Sequence, residues 1–153
     1  MTDVHICEII SNVKLTNVVH SITVSCAGAA REAKAGQFFG IRCGDGRILR
    51  RPISICRVSG EMLEFVFEVK GEGTKWLSDR RPGQELDALG PLGKGFDIPD
   101  GRFIVVGGGI GTPPLLFAAR ERARLWFCLR QWLLCRYCLT LYRVVSPCEP
   151  TSL

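Results

Sequence analysis

Leu63-Glu64-Phe65-Val66-Phe67-Glu68-Val69 decides the fold: Leu63, Phe65, Phe67 and Val69 fall on one side of an extended chain, with Glu64 and Glu68 opposite. Successive side chains of a strand point to opposite faces, so this stretch reads as a half-buried strand with one wet side. Ile22, Val24 and Cys26 repeat the pattern upstream. Between the apolar runs stand Ala35-Gly36-Gln37, Gly44-Asp45-Gly46, Ser59-Gly60 and Pro82-Gly83, which supply the positive-φ and fixed-φ positions of tight turns. Several short strands at this spacing predict an all-β antiparallel barrel over residues 1–100.

One short helix interrupts the strands. Thr74 can cap it so that it opens after Gly73, Trp76 and Leu77 give it an apolar side, and Arg80-Arg81-Pro82 ends it with positive charge and a breaker. A second unit occupies residues 101–124. Phe103-Ile104-Val105-Val106 is a continuous apolar strand of the buried parallel type, glycines follow, and a Pro-started helix runs from Pro113 through Arg120. This is the first β-turn-α step of an incomplete α/β nucleotide-binding unit. A parallel sheet needs a second strand after the helix, and nothing after Arg124 alternates or turns in the expected way.

The 153 residues suit one complete domain plus a fragment. The formal charge is +5, but residues 1–119 carry 14 basic and 13 acidic side chains, whereas residues 120–153 carry six arginines against Glu121 and Glu149. A near-neutral body argues against nucleic acid as the partner. All 17 glycines and five lysines precede residue 112, while four of eight cysteines and two of three tryptophans lie between Trp126 and Cys148. Residues 125–153 thus form an aberrant basic, Cys/Trp-rich tail. The reading favoured is translation out of register after about Arg120. Leu125 to Val145 could also be read as a membrane helix, but Arg130, Arg136 and Arg143 interrupt it too evenly for a span.

Cys7, Cys26, Cys43 and Cys56 sit singly on strand-like stretches and read as small buried hydrophobes. Cys128, Cys135, Cys138 and Cys148 match no standard zinc spacing, so no metal site is assigned. The first ten residues carry no secretory pattern, and a cytoplasmic location is expected.

The chemistry lies in four ordered motifs. A flavin dinucleotide brings a diphosphate, which a guanidinium fork neutralises and free amides at a helix start complement. Arg51 and Gly73-Thr74 suit that task, and Ser54, on the same strand face as Pro52, can offer its hydroxyl to a flavin edge. Gly107-x-Gly109-x-Gly111 lies between a strand and a helix, the context that a nucleotide loop requires.

Arg51-Pro52-Ile53-Ser54, Gly71-x-Gly73-Thr74, Gly90-Pro91-Leu92-Gly93-x-Gly95-Phe96 and Gly107-Gly108-Gly109-Ile110-Gly111-x-Pro113-Pro114 together resemble the electron-transfer subunits of bacterial NAD-linked dihydroorotate dehydrogenases, within the ferredoxin-reductase superfamily. The resemblance runs from Ile6 to about Ala119. It implies a ferredoxin-reductase-like FAD barrel in which Arg51, Pro52, Ile53 and Ser54 contact the flavin and its pyrophosphate. Val66, Phe67 and Glu68 would line the cofactor, Gly73 and Thr74 would bind phosphate, and Gly107, Gly108, Gly109 and Gly111 would form the nucleotide loop. Ile53 stands where wider relatives place a stacking tyrosine, and Glu68 where many have a basic or neutral residue.

By the same resemblance, electrons pass from the FMN-containing catalytic subunit through a 2Fe-2S cluster to FAD and then to NAD+, in pyrimidine biosynthesis, and no side chain here acts as acid or base. The family's cluster-ligand region is absent from this sequence. The chain is therefore expected to be an incomplete electron-transfer component and not a self-sufficient enzyme. The alternatives are a non-catalytic docking or membrane-surface module, or a subunit of another ferredoxin-reductase-type oxidoreductase. Without the rest of a second domain, Ile104, Val106, Leu115, Leu116 and Phe117 are expected to lie exposed, each forfeiting about 1.5–3 kcal/mol. Residues 101–153 are thus expected to be poorly ordered beside a folded barrel.

Overall fold

A computed structural model describes residues 3–44, 49–97, 104–121 and 126–129. Six strands close into a barrel: β1 (Asp3–Lys14), β2 (Val19–Ser25), β3 (Phe38–Ile41), β4 (Arg51–Ser59), β5 (Met62–Glu68) and β6 (Glu85–Leu92), paired in the order β1-β2-β5-β4-β3-β6. Every pairing in the barrel is antiparallel. The alternation read in the sequence sets which side faces in. Ile22, Val24, Leu63 and Phe65 are fully buried and Phe67 nearly so, while Glu64 and Glu68 stay half-exposed.

Phe39 lies edge-on to Phe65 with ring centroids 5.5 Å apart, and Ile9, Ile41, Ile55 and Leu86 belong to the same buried core. β4 and β5 join through Gly60 and Glu61, with Gly60 at φ +61°, a backbone state that glycine adopts without a Cβ clash. The extra residue in β4 falls at Cys56, between the paired Ile55 and Arg57. Cys7, Cys26, Cys43 and Cys56 are all buried, as expected of small hydrophobes. Burial pushes the Cys56 thiol up to about 12, with Glu64 adding to the rise, and burial likewise pushes the Cys7 thiol upward.

Two helices belong to the barrel. α1 (Ala27–Glu32), which the sequence analysis did not anticipate, puts Ala29 and Ala30 into the core. Its short Ala-rich run has little apolar periodicity, so strand-period reading passes over it. α2 (Glu72–Ser78) buries Leu77 completely. Gly71, in extended backbone, is its N-cap, and Thr74 stands at the third helical position instead of at the cap. The Thr74 hydroxyl accepts from the amides of Lys70 (2.9 Å) and Gly71 (3.2 Å), satisfying donors just ahead of the helix. The helix stops at Ser78 with Asp79 as C-cap, just ahead of the Arg-Arg-Pro breaker.

β7 (Ile104–Gly107), a 3₁₀ turn at Gly109–Gly111 and α3 (Thr112–Glu121) build the expected β-turn-α step. Two expectations fail here. β8 (Trp126–Leu129) pairs in parallel with β7, so a returning strand does follow the helix. Four consecutive apolar residues suit a parallel strand, whereas the sequence reading looked for alternation. In addition α3 packs against β4, with Phe117 and Ala118 only 8% and 4% exposed and part of the core cluster. The barrel thus covers a face that was expected to stay bare. The expectations for residues 130–153 and for the side chains of Ile104 and Val106 lie outside the described residues.

Candidate functional site

β4 carries the first motif across the barrel wall. Strand alternation puts Ile53 inward, 8% exposed within the core, and leaves Pro52 exposed and Ser54 half-exposed on the outer face. Arg51 begins the strand, and its side chain lies directly on Gly73 in the first turn of α2. A Cβ at Gly73 would meet Arg51 Nε at 2.6 Å, Cγ at 3.2 Å and Cδ at 3.4 Å. Only a residue without a side chain lets the guanidinium stem rest there. Motifs separated by some twenty residues in sequence thus converge, as their order in the chain suggested. Among the described residues the Arg51 guanidinium makes no ion pair and no hydrogen bond, so its five donors remain available.

Arg50, its neighbour, is fully engaged. It holds Asp87 of β6 through a two-pronged ion pair (2.7 and 3.1 Å) and donates to the backbone oxygens of Gly40 (3.2 Å) and Asp87 (3.3 Å). Sequence reading gave Arg50 no task, because its partner lies 37 residues away and meets it only when the barrel closes.

The position of α2 is fixed from behind. Asn12 of β1 donates from its amide nitrogen to the carbonyls of Leu77 (3.2 Å), Ser78 (3.2 Å) and Arg80 (2.9 Å), at and just past the end of α2. Its oxygen lies 3.4 Å from Nδ1 of His20, which stacks on Phe67. Burial and the charge of Lys14 lower the pKa of His20. Arg80 also covers Trp76, its guanidinium carbon 4.1 Å from the ring centre. These contacts fix α2, and with it Gly73, against the barrel, although no sequence signal singled out Asn12.

On β5, Phe67 is inward and 2% exposed, whereas Val66 faces outward yet is only 6% exposed. The 3₁₀ turn that precedes α3 lies close to β5. Glu68 pairs with Lys70 at 3.1 Å, which neutralises the carboxylate that stood out as a departure near a phosphate site. In the glycine turn, Gly107 is needed for packing, since a Cβ there would meet Leu115 Cδ1 at 2.7 Å. Gly108, Gly109 and Gly111 face open space, and Gly109 has φ +54°. These three leave room for a ligand to approach the backbone. Among the described residues, no group of three or more His, Cys, Asp or Glu is placed to hold a metal ion, and no helix is long and apolar enough to cross a membrane.

The sequence is 37% identical to the electron transfer subunit of dihydroorotate dehydrogenase B (NAD(+)) from Fusobacterium nucleatum over 123 residues, 75% of this chain and 48% of that protein. It is 44% identical to the subunit of the same name from Desulforamulus reducens over 102 residues, 63% of this chain and 39% of that protein. The chain is a relative of these electron-transfer subunits. It spans about half the length of the curated relatives it matches. No family model matches the sequence.

Among solved structures, that of an NADH-dependent reduced ferredoxin-NADP oxidoreductase, described for flavin-based electron bifurcation, aligns with a TM-score of 0.74 at 27% identity, over 82% of this chain and 47% of that one. Phthalate dioxygenase reductase aligns with a TM-score of 0.67 at 22% identity, over 84% of this chain and 44% of that one. The barrel is of the ferredoxin-reductase type.

Proposed function

We propose that this chain is the FAD-carrying part of an electron-transfer subunit that serves a dihydroorotate dehydrogenase, moving electrons toward NAD+ in pyrimidine biosynthesis. The observation that carries the reading is the seating of Arg51 on Gly73, a guanidinium without an ion pair among the described residues laid on the first turn of a helix. Gly73, with no side chain, lets the Arg51 stem rest on the turn, because a Cβ there would push the cation away, and a cation held there suits this cofactor's diphosphate.

In this reading Arg51 neutralises the diphosphate with a fixed fork, and the backbone at Gly73 and Thr74 lines the same place. The Thr74 hydroxyl, committed to Lys70 and Gly71, keeps that turn in shape. Pro52 and Ser54 meet the flavin ring from the outer face of β4, and Val66 extends the wall beside them. Ile53, Phe67 and the paired Glu68 support that wall from the core and from the strand end. Gly107 seats the loop on α3, and Gly108, Gly109 and Gly111 leave space for a nicotinamide nucleotide. When bound, FAD supplies the electron-accepting and hydride-donating chemistry, and the protein contributes position and surrounding potential.

The partners in this reading are the FMN-containing catalytic subunit and, in the intact family, NAD; the family's 2Fe-2S cluster has no ligand set among the described residues of this chain, and the location is cytoplasmic. The test is anaerobic. The FAD-loaded chain is mixed with a catalytic dihydroorotate dehydrogenase subunit and dihydroorotate, and the flavin absorbance is followed. Bleaching that requires all three supports the role. An FAD complex that stays oxidised in the full mixture but is bleached by a ferredoxin system instead would move the chain to another branch of the reductases.

A further inference from the structure

The row of side chains on the outer face that contains Ser54 can be read from the strand register. Phe38 of β3 pairs with Ser54 of β4, and Ile55 pairs with Phe65, so one step on Ser54 stands beside Val66 of β5. Phe39, the next residue of β3, is fully buried, which puts Phe38 on the outside, where it is half-exposed. The Phe38 ring is held from below, since a Cβ at Gly93 would meet its Cε1 at 3.3 Å and Cδ1 at 3.6 Å. Leu92, paired with Phe38, continues the row.

Among the described residues the Ser54 hydroxyl has no hydrogen-bond partner, and no buried polar side-chain atom lacks one, so this hydroxyl is open to solvent. A free hydroxyl flanked by an aromatic ring and a valine, on a partly covered apolar wall, suits a flat heteroaromatic ring with a polar edge. Ile53, which the sequence motif places at the ring, is instead packed in the core.

We propose that Phe38 forms the aromatic side of the flavin-ring subsite, next to the Ser54 hydroxyl, supplying the contact that residue 53 does not. This rests on the FAD reading above and assigns to it a residue outside all four motifs. Phe38 is a positioning residue: it holds the ring and takes no part in electron or proton transfer.

The test uses the whole chain with FAD as probe. An indole in contact with a flavin quenches its emission by electron transfer, whereas phenylalanine does not. Phe38→Trp should therefore cut the emission lifetime of bound FAD several-fold relative to the wild type. Ile6→Trp, on the outer face of β1 and well removed from β4 in the barrel order, should leave it unchanged. Phe38→Leu keeps the position apolar and should weaken FAD binding about two- to tenfold, the range expected for one lost aromatic contact. A wild-type lifetime in Phe38→Trp together with unchanged affinity in Phe38→Leu would overturn the assignment and leave the FAD reading intact. Failure of the wild-type chain to bind FAD would overturn both.

Discussion

Gly73→Ala separates ligand binding from folding more cleanly than any change to a charged residue. The added methyl would sit 2.6 Å from Arg51 Nε, well inside contact distance, and the three nearest atoms all belong to Arg51. The neighbour that must yield is thus a flexible side chain and not backbone, so Arg51 swings off the first turn of α2 while the barrel stays closed. Gly73 lies inside a helix without positive φ, where alanine is favoured over glycine by about 1 kcal/mol. Thermal stability should hold or rise slightly.

Binding should move the other way. A hydrogen bond to a charged group contributes about 1.5–3 kcal/mol, so displacing the guanidinium should weaken FAD by roughly 10- to 150-fold. Flavin fluorescence titration gives the affinity and calorimetry gives the melting temperature. An alanine variant that binds FAD within about twofold of the wild type would refute the argument that Arg51 must rest on Gly73.

The two adjacent arginines should behave oppositely: Arg50→Ala takes from the half-buried Asp87 its two-pronged ion pair, leaving only the longer one with Arg42 at 3.9 Å, and should cost about 2 kcal/mol in denaturant unfolding while FAD affinity stays. Arg51→Ala should lose FAD affinity with little change in unfolding. Asn12→Ala removes the donor that serves three carbonyls at the end of α2, and should cost about 1–3 kcal/mol and speed amide exchange in that helix. His20 has its folded pKa lowered, so the unfolded chain takes up the proton first as pH falls. Its contribution is therefore complete above the ordinary histidine value of about 6.5 and is lost as pH drops below it. His20→Gln should flatten the fall in melting temperature between neutral and mildly acidic pH, and an unchanged slope would count against this assignment.

The barrel was legible because half-buried strands write their burial directly into the alternation of residues such as Leu63, Phe65 and Phe67. The meeting of Arg51 with Gly73 was legible only as motif order, since nothing local says that the start of β4 touches the start of α2. Arg50 and Asn12 were illegible for a related reason. Their partners lie across the barrel, 37 residues away for Asp87 and 65 or more for the α2 carbonyls, and a polar residue carries no mark of a distant carbonyl or carboxylate. Thr74 was placed at the cap because hydroxyls favour that position, yet glycine's extended backbone at Gly71 took the cap and the hydroxyl reached back from inside the helix. β8 went unseen because its four residues, Trp126 to Leu129, are all apolar and so carry no alternation. Phe38 drew no notice because one aromatic beside another at Phe38-Phe39 does not reveal which faces out until the register is known.

In the proposed role a diphosphate, and not only a flavin ring, is recognised by this barrel. That recognition is tested most directly by comparing FAD with riboflavin in equilibrium titrations of the wild-type chain and Arg51→Ala. Strong preference for FAD in the wild type, largely erased by the substitution, is the predicted result. Equal affinity for the two flavins in the wild type, or a preference that survives loss of Arg51, would contradict it.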